Sequence, residues 1–484
     1  MTDTTPNAPF RKIPSLDSLL REDAVRGFIE EFGRDVVVSK GRTVLDEARA
    51  AIAAAAAGGA AGADITPDAL VARLRLRLEK KFAPSLSPAV NATGIVMHSG
   101  LGRAVLSEAA RDALDAVAVG YSTLALDLES GKRVSRDSHV EGLLRELTGA
   151  EAATVANNNA AATVLILNTL AKGKEVVVSR GQLVEIGGSF RMPDVMTTSG
   201  AVLREVGTTN KTHLRDYEGA VNESTGAILR VHHSNYRIVG FAEEPGIEEL
   251  AALGRSRGVP VVDDIGSGAL VDLAPYGLAS EPLVRTSVQA GADVVCFSGD
   301  KLIGGPQCGI IVGKAAWIQK IKKNPLARAF RCGKLSVAAL EATLKLFLAP
   351  EKLAERHPIY RMLALTPDEL GRRANKLAAS LPKALPAGVM ISVEDGESQV
   401  GSGAVPVETL PSKVLAVRSP GISAEDLARQ LRAFTPPIFA RIHKDAVLFD
   451  FRTIQPGEDA VVEKALVELL FGRGTAPKRG QSLL

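Results

Sequence analysis

A chain of 484 residues is long enough for two or three domains around a large buried core. Its 58 Lys and Arg against 55 Asp and Glu leave a formal charge of +3, which neither requires nor excludes a nucleic-acid partner, because basic surface can be local. Three cysteines without a CxxC pair exclude a disulfide scaffold or zinc ribbon, and the absence of a secretory h-region or an apolar window of about 18 residues adds to the expectation of a soluble, cytoplasmic protein with no membrane partner.

Residues 1–85 read as a small helical domain. The stretch "PSLDSLLREDAVRGFIEEFGRDVVVSKGRTVLDEARAAIAAAAA" carries apolar residues at three- and four-residue spacing. An Ala/Gly segment, "AAAAAGGAAGAD", breaks that pattern before "TPDALVARLRLRLEKKFAPSL". Arg73, Arg75, Arg77, Lys80 and Lys81 make that last helix basic, either as a solvated face or as an RNA-contacting one.

Residues 86–350 change in texture. The runs "KEVVVSRG", "AVLREVG", "GAILRVHHS", "VPVVDDIG", "ADVVCFSG" and "QCGIIVG" alternate with helical segments, which predicts an α/β core with a mostly parallel sheet covered on both faces. Ligands in such sheets sit beyond the carboxyl ends of the strands. That rule selects Arg180, the "HHSN" of 232–235, the "DDIGSG" of 263–268 and the "SGDK" of 298–301. Residues 351–472 read as a smaller α/β domain, with a helix at "PDELGRRANKLAASL" and strands at "KVLAVRS" and "AVLFDFRTI". The Gly-, Lys- and Arg-rich residues 473–484 read as a disordered tail.

Within "FSGDKLIGGPQCG", Lys301 follows a strand and stands among glycines, of which Gly299, Gly304 and Gly305 would let backbone or a cofactor approach closely. Desolvation there favours the neutral amine that forms Schiff bases, although "SGDK" is also an ordinary turn. Pyridoxal phosphate needs, besides such a lysine, a carboxylate for its ring nitrogen, a cradle for its phosphate and a partner for its phenolic oxygen. Asp263 or Asp264 supplies the carboxylate, and strand alternation allows only one of them to face the ring. Asn157, Asn158 and Asn159 precede an Ala-rich helix whose N-terminus can take an anion or simply be capped. Ser298 offers a further hydroxyl, and Asn235, otherwise a turn residue, is the candidate for the phenolic oxygen. His232 and His233 lack the companions a metal site needs, so no metal is expected. Arg103 lies in a Gly-rich loop, and Lys320, Lys322, Lys323, Arg328, Arg331 and Lys334 form a run without an acidic residue, suited to solvent or to an oxyanion.

The blocks "FSGDKLIGGPQCGIIVG", "NNNAAA", "VVVSRGQLVEIGGSFRMPDVM", "EVGTTNKTHLRDY" and "HHSNYRIVGF" resemble bacterial selenocysteine synthase, the L-seryl-tRNA(Sec) selenium transferase family, from the helical N-terminus to about residue 455. The resemblance implies a fold type I pyridoxal-phosphate transferase core flanked by a helical N-terminal and a small α/β C-terminal domain. It implies conversion of seryl-tRNA(Sec) to selenocysteyl-tRNA(Sec) through an aminoacrylyl-tRNA, with pyridoxal 5'-phosphate as cofactor and selenophosphate as donor. It places the cofactor lysine at Lys301 with Asp300 beside it, the ring-nitrogen partner at Asp264, and anion-binding arginines at Arg103, Arg328 and Arg331. An N-terminal tRNA-binding domain and a ring-shaped homodecamer are also implied.

Three positions depart from the family pattern: "HSGLGR" at 98–103 where T-N-L-G-R is usual, Ala125 where Glu is expected, and Val134 where Gly is expected. Arg180 and Gln182 lie where a group stacking on the cofactor ring is sought, without a basis for choosing between them. The competing readings are a fold type I lyase acting on a free small amino acid or amino-sugar acid, and a catalytically silent RNA-binding protein.

Overall fold

The computed structural model describes residues 13–56, 64–186, 190–278, 281–382, 386 and 388–472. The glycines of the Ala/Gly segment, at 57–63, and the expected tail at 473–484 lie outside the described residues. Two compact units are present, Met1–Pro88 and Ala89–Leu484.

In the first unit, helices Leu16–Arg21, Asp23–Phe32, Arg34–Ala56 and Pro67–Phe82 bury one small core that includes Leu19, Phe28, Val44 and Leu45. The last helix begins as its sequence dictates. The Thr66 hydroxyl caps Ala69 N–H, and Pro67 occupies the first turn, where its missing N–H costs nothing. Leu70, Leu74 and Leu78, four residues apart, form its buried stripe. Arg75, Lys80 and Lys81 are exposed on the other side, with Arg75 paired to Glu79 at 2.7 Å and Arg77 to Glu47.

The second unit contains β1 (Val90–Ala92), β2 (Ala152–Ala156), β3 (Glu175–Ser179), β4 (Glu185–Ile186), β5 (Phe190–Arg191), β6 (Val202–Val206), β7 (Thr225–Val231), β8 (Val261–Gly266), β9 (Val294–Ser298), β10 (Gly309–Gly313), β11 (Met390–Gly401), β12 (Ala404–Arg418), β13 (Ile438–His443) and β14 (Ala446–Asp450). Its main sheet has the order β2-β10-β9-β8-β7-β3-β6. Only β10 runs antiparallel to its neighbours. Alternate residues supply two separate cores. Val177, Ile228, Val261, Val295 and Phe297 point to one face, and Val176, Val178, Leu229, Val262 and Cys296 to the other. Burial on both faces is why these strands read as continuous apolar runs.

The smaller sheet, β1-β13-β14-β12-β11, corrects the expected partition. Val90–Ala92, assigned from sequence to the 86–350 core, pairs in parallel with Ile438–Ala440. Residues 351–472 are likewise not a separate compact unit. The reason is packing: Val400, Ala404, Val405 and Leu410 belong to the same core as Val96 and Met97, and Val96 and Met97 N–H donate to the carbonyls of Gln399 and Val400.

Candidate active site

Lys301 stands just beyond β9, buried, in a cavity of about 290 Å³ that it shares with Arg103, Asn158, Asn159, Asp264 and Ser298. Its glycine neighbours do different work from that expected. A Cβ on Gly299 would meet Cys308, and one on Gly304, whose φ is 66°, would meet the His357 ring, so both make room for protein rather than for a ligand. The glycine bordering the amine is Gly266, where an added Cβ would lie 3.6 Å from Lys301 Nζ. Burial lowers the pKa of the amine, as does Arg103, against the pull of Asp264, Asp300 and Glu281. The neutral amine is therefore reached at lower pH than in a free lysine.

The two adjacent aspartates of β8 point to opposite faces. Asp263 is fully buried and pairs with Arg230, its neighbour on β7, at 3.1 Å. Asp264 faces the cavity and accepts hydrogen bonds from Asn159 Nδ2 at 2.8 Å and Thr163 Oγ1 at 3.0 Å. Burial raises the pKa of Asp264, while Asn159, Thr163 and Lys301 act to hold it ionised.

The asparagine triplet divides its tasks. Asn158 is the N-cap of helix Asn159–Ala171, with its Oδ1 accepting Ala161 N–H at 2.8 Å. Asn159 orients Asp264, and its own Oδ1 is buried without a partner among the described residues. Asn157 lies outside the cavity wall. Its side chain is exposed and its N–H donates to Phe330 C=O, so of the triplet only Asn158 and Asn159 line the Lys301 cavity. Asn235 is likewise exposed, with its Nδ2 donating to Glu185 C=O at 2.9 Å. The cavity positions at this strand end belong to His232 and buried Ser234.

Arg103 adopts a left-handed conformation, φ 62°, and its guanidinium meets Asp300 at 2.9 Å. The departing residue His98 caps the short turn Ser99–Leu101 through Nδ1, which accepts Gly100 N–H at 3.2 Å. Ala125 and Val134 face one another across a loop, with Val134 N–H donating to Ala125 C=O. Arg328 and Arg331 are exposed and not part of the Lys301 cavity wall. They gather instead with Arg133 and Arg136, and Arg136 foremost depresses the pKa of the Arg331 guanidinium. The neighbouring lysines are partly neutralised from other elements, Lys322 by Glu141 at 2.8 Å. Arg180 pairs with Glu205, and Gln182 bridges Glu244 and Val231 N–H; neither lines the cavity.

Sequence reading missed Thr163 and Glu281. Thr163 was visible in principle, since it stands four residues after Asn159 on one helix face. Glu281 carries no local signal. Among the described residues no cluster suited to a metal ion is present, and no helix is long and apolar enough to cross a membrane.

Residues 89–455 match the L-seryl-tRNA selenium transferase family, and residues 10–49 match the selenocysteine synthase N-terminal family. The L-seryl-tRNA(Sec) selenium transferase of Alkaliphilus metalliredigens is 48% identical over 94% of this chain and 97% of its own length. That of Geobacter sulfurreducens is 48% identical over 95% and 99%, and that of Methylocella silvestris 49% over 92% and 94%. Among solved structures, a D-glucosaminate-6-phosphate ammonia-lyase shares the fold, with a TM-score of 0.56 and 21% identity over 81% of this chain and 97% of that one. With matches to both family regions and near-complete coverage of these relatives, the chain belongs to the L-seryl-tRNA(Sec) selenium transferase family.

Proposed function

We propose that this protein converts L-seryl-tRNA(Sec) to L-selenocysteyl-tRNA(Sec), using selenophosphate and pyridoxal 5'-phosphate. The observation that carries this reading is nearly half identity across almost the whole length of transferases of that name. The lyase likeness is one of fold alone, so the free-amino-acid alternative falls behind.

The residues around Lys301 fit the cofactor: a buried amine beside an open glycine, a buried carboxylate held by two donors, and a helix N-terminus in one cavity. When bound, the cofactor supplies an electron sink for the pair left at the seryl α-carbon. Lys301 would hold it through its side-chain amine, and that amine is the base for the seryl α-proton. Asp264 would pair with the ring nitrogen, Asn158 and Asn159 would present the helix N-terminus to the phosphate, and Ser298 would add a hydroxyl. Asp300 fixes Arg103, which receives the selenophosphate oxyanion in the Lys301 cavity, while Arg328 and Arg331 offer further positive charge outside that cavity's wall.

The first unit is the tRNA-contacting element, supported by the exposed cations of helix Pro67–Phe82. A ring-shaped homodecamer and a cytoplasmic location complete the proposal, as the family membership and an aminoacyl-tRNA substrate favour. The test is incorporation of labelled selenium from selenophosphate into seryl-tRNA(Sec), with free serine as control. Selenium transfer confined to the charged tRNA is the expected result; turnover of free serine alone restores the lyase reading.

A further inference from the structure

Two largely buried side chains beside the Lys301 cavity have no part in the scheme above. His232 lies on the wall shared by that cavity and a second one of about 480 Å³. Glu281 reaches the second cavity from the connection that follows β8. Its side chain is 1% exposed, and one carboxyl oxygen accepts Val405 N–H at 2.8 Å. The other, Oε1, stands 3.7 Å from His232 Nε2; neither atom has a hydrogen bond of ordinary length among the described residues, and the Ser267 hydroxyl, likewise unpaired, lies near enough to Glu281 to pull its carboxyl pKa down. Leaving a buried polar atom unpaired costs about 1–3 kcal/mol, so two such atoms facing one another call for a reason.

We propose that His232 and Glu281 are the proton-donating pair that releases the seryl β-hydroxyl as water, an inference that rests on the seryl-tRNA activity assigned above. Lys301 first takes the α-proton; the electron pair left at Cα then becomes the second Cα–Cβ bond as the Cβ–O bond breaks with its pair on oxygen. Hydroxide is a poor leaving group. One imidazole nitrogen of His232 gives the oxygen a proton, water departs, and Glu281 returns a proton to the other nitrogen. Glu281 is recharged by water in the second cavity, whose wall includes the exposed Thr208, Thr209 and Asn210.

The surroundings shift both groups toward the state the step uses. Burial raises the pKa of the Glu281 carboxyl, with Glu408 adding to it and Ser267, Val405 N–H and Lys301 opposing. Burial, helped by Arg230, His233 and Lys301, brings the His232 imidazole down to about 4, so it waits neutral. The 3.7 Å gap is just beyond hydrogen-bond reach, and contacts of this kind tighten when substrate closes the site.

The test compares cofactor-loaded wild type with Glu281→Gln and His232→Asn, using tRNA charged with α-deuterated serine. Both variants are expected to exchange the α-deuterium with solvent within about twofold of wild type while hydroxyl loss, read by the mass of the aminoacyl group, falls about 100-fold or more. In cofactor-free protein, the infrared difference between wild type and Glu281→Gln is expected to show a protonated carboxyl band. Equal loss of exchange and elimination in both variants, unchanged elimination, or no such band would each overturn the role. If wild type exchanges no α-deuterium from charged tRNA, the assigned activity fails and this role with it, and the substrate-free infrared band tells that case from the others.

Discussion

At the scale of single residues, the paired aspartates of β8 separate stability from chemistry. Asp263→Asn leaves the Arg230 charge buried without its carboxylate, and we expect a loss of about 3 kcal/mol, measured by urea denaturation. Asp264→Asn keeps the shape and the Thr163 contact, so it is expected to cost less stability while abolishing most selenium transfer. Lys301→Ala should yield protein without the visible band of lysine-bound pyridoxal phosphate. For wild type, a lowered amine pKa means that the neutral form grows in at lower pH than for a free lysine at 10.5. Cofactor uptake by the cofactor-free protein should therefore have its midpoint below that pH, and a midpoint at or above it contradicts the burial argument. Alternation along β8 tells a reader that Asp263 and Asp264 face apart, but not which one meets Lys301, because that depends on which sheet face receives helix Asn159–Ala171. Asn235 shows the converse: its position after β7 was legible, whereas the turn that exposes it and brings His232 and Ser234 to the cavity was not.

Among elements, helix Asn159–Ala171 is the one whose start matters most, since its cap and its first residue both border the cavity. Asn158→Ala removes the cap to Ala161 N–H, with an expected cost of about 1 kcal/mol. Thermal denaturation reads the stability loss, and a weaker hold on the cofactor phosphate should accompany it. The strands of the main sheet were legible because burial on both faces leaves apolar runs with sharp ends. The antiparallel sense of β10 was not, because the hydrophobic pattern carries no direction. Nor was β1, which at three residues is too short to show a period.

For the whole molecule, the two units invite separate assays. Removing residues 1–88 is expected to weaken binding of seryl-tRNA(Sec) at least about tenfold and to flatten its salt dependence, because phosphate contacts set both. Cofactor loading should persist, since the Lys301 cavity is built wholly from the second unit. Equal tRNA affinity of the two forms would remove the first unit from recognition.

The parallel pairing of Val90–Ala92 with Ile438–Ala440 also bears on how the chain is made. About 350 residues separate the two strands, and at a synthesis rate of about 5–20 residues per second the first waits roughly 20–70 s on the ribosome for its partner. During that interval the nascent second unit has an unfinished small sheet, with Val90 and Ala92, both buried in the finished fold, still uncovered. Translation pauses before residue 438 would prolong that exposure, whereas pauses after residue 450, once β13 and β14 have emerged, would not.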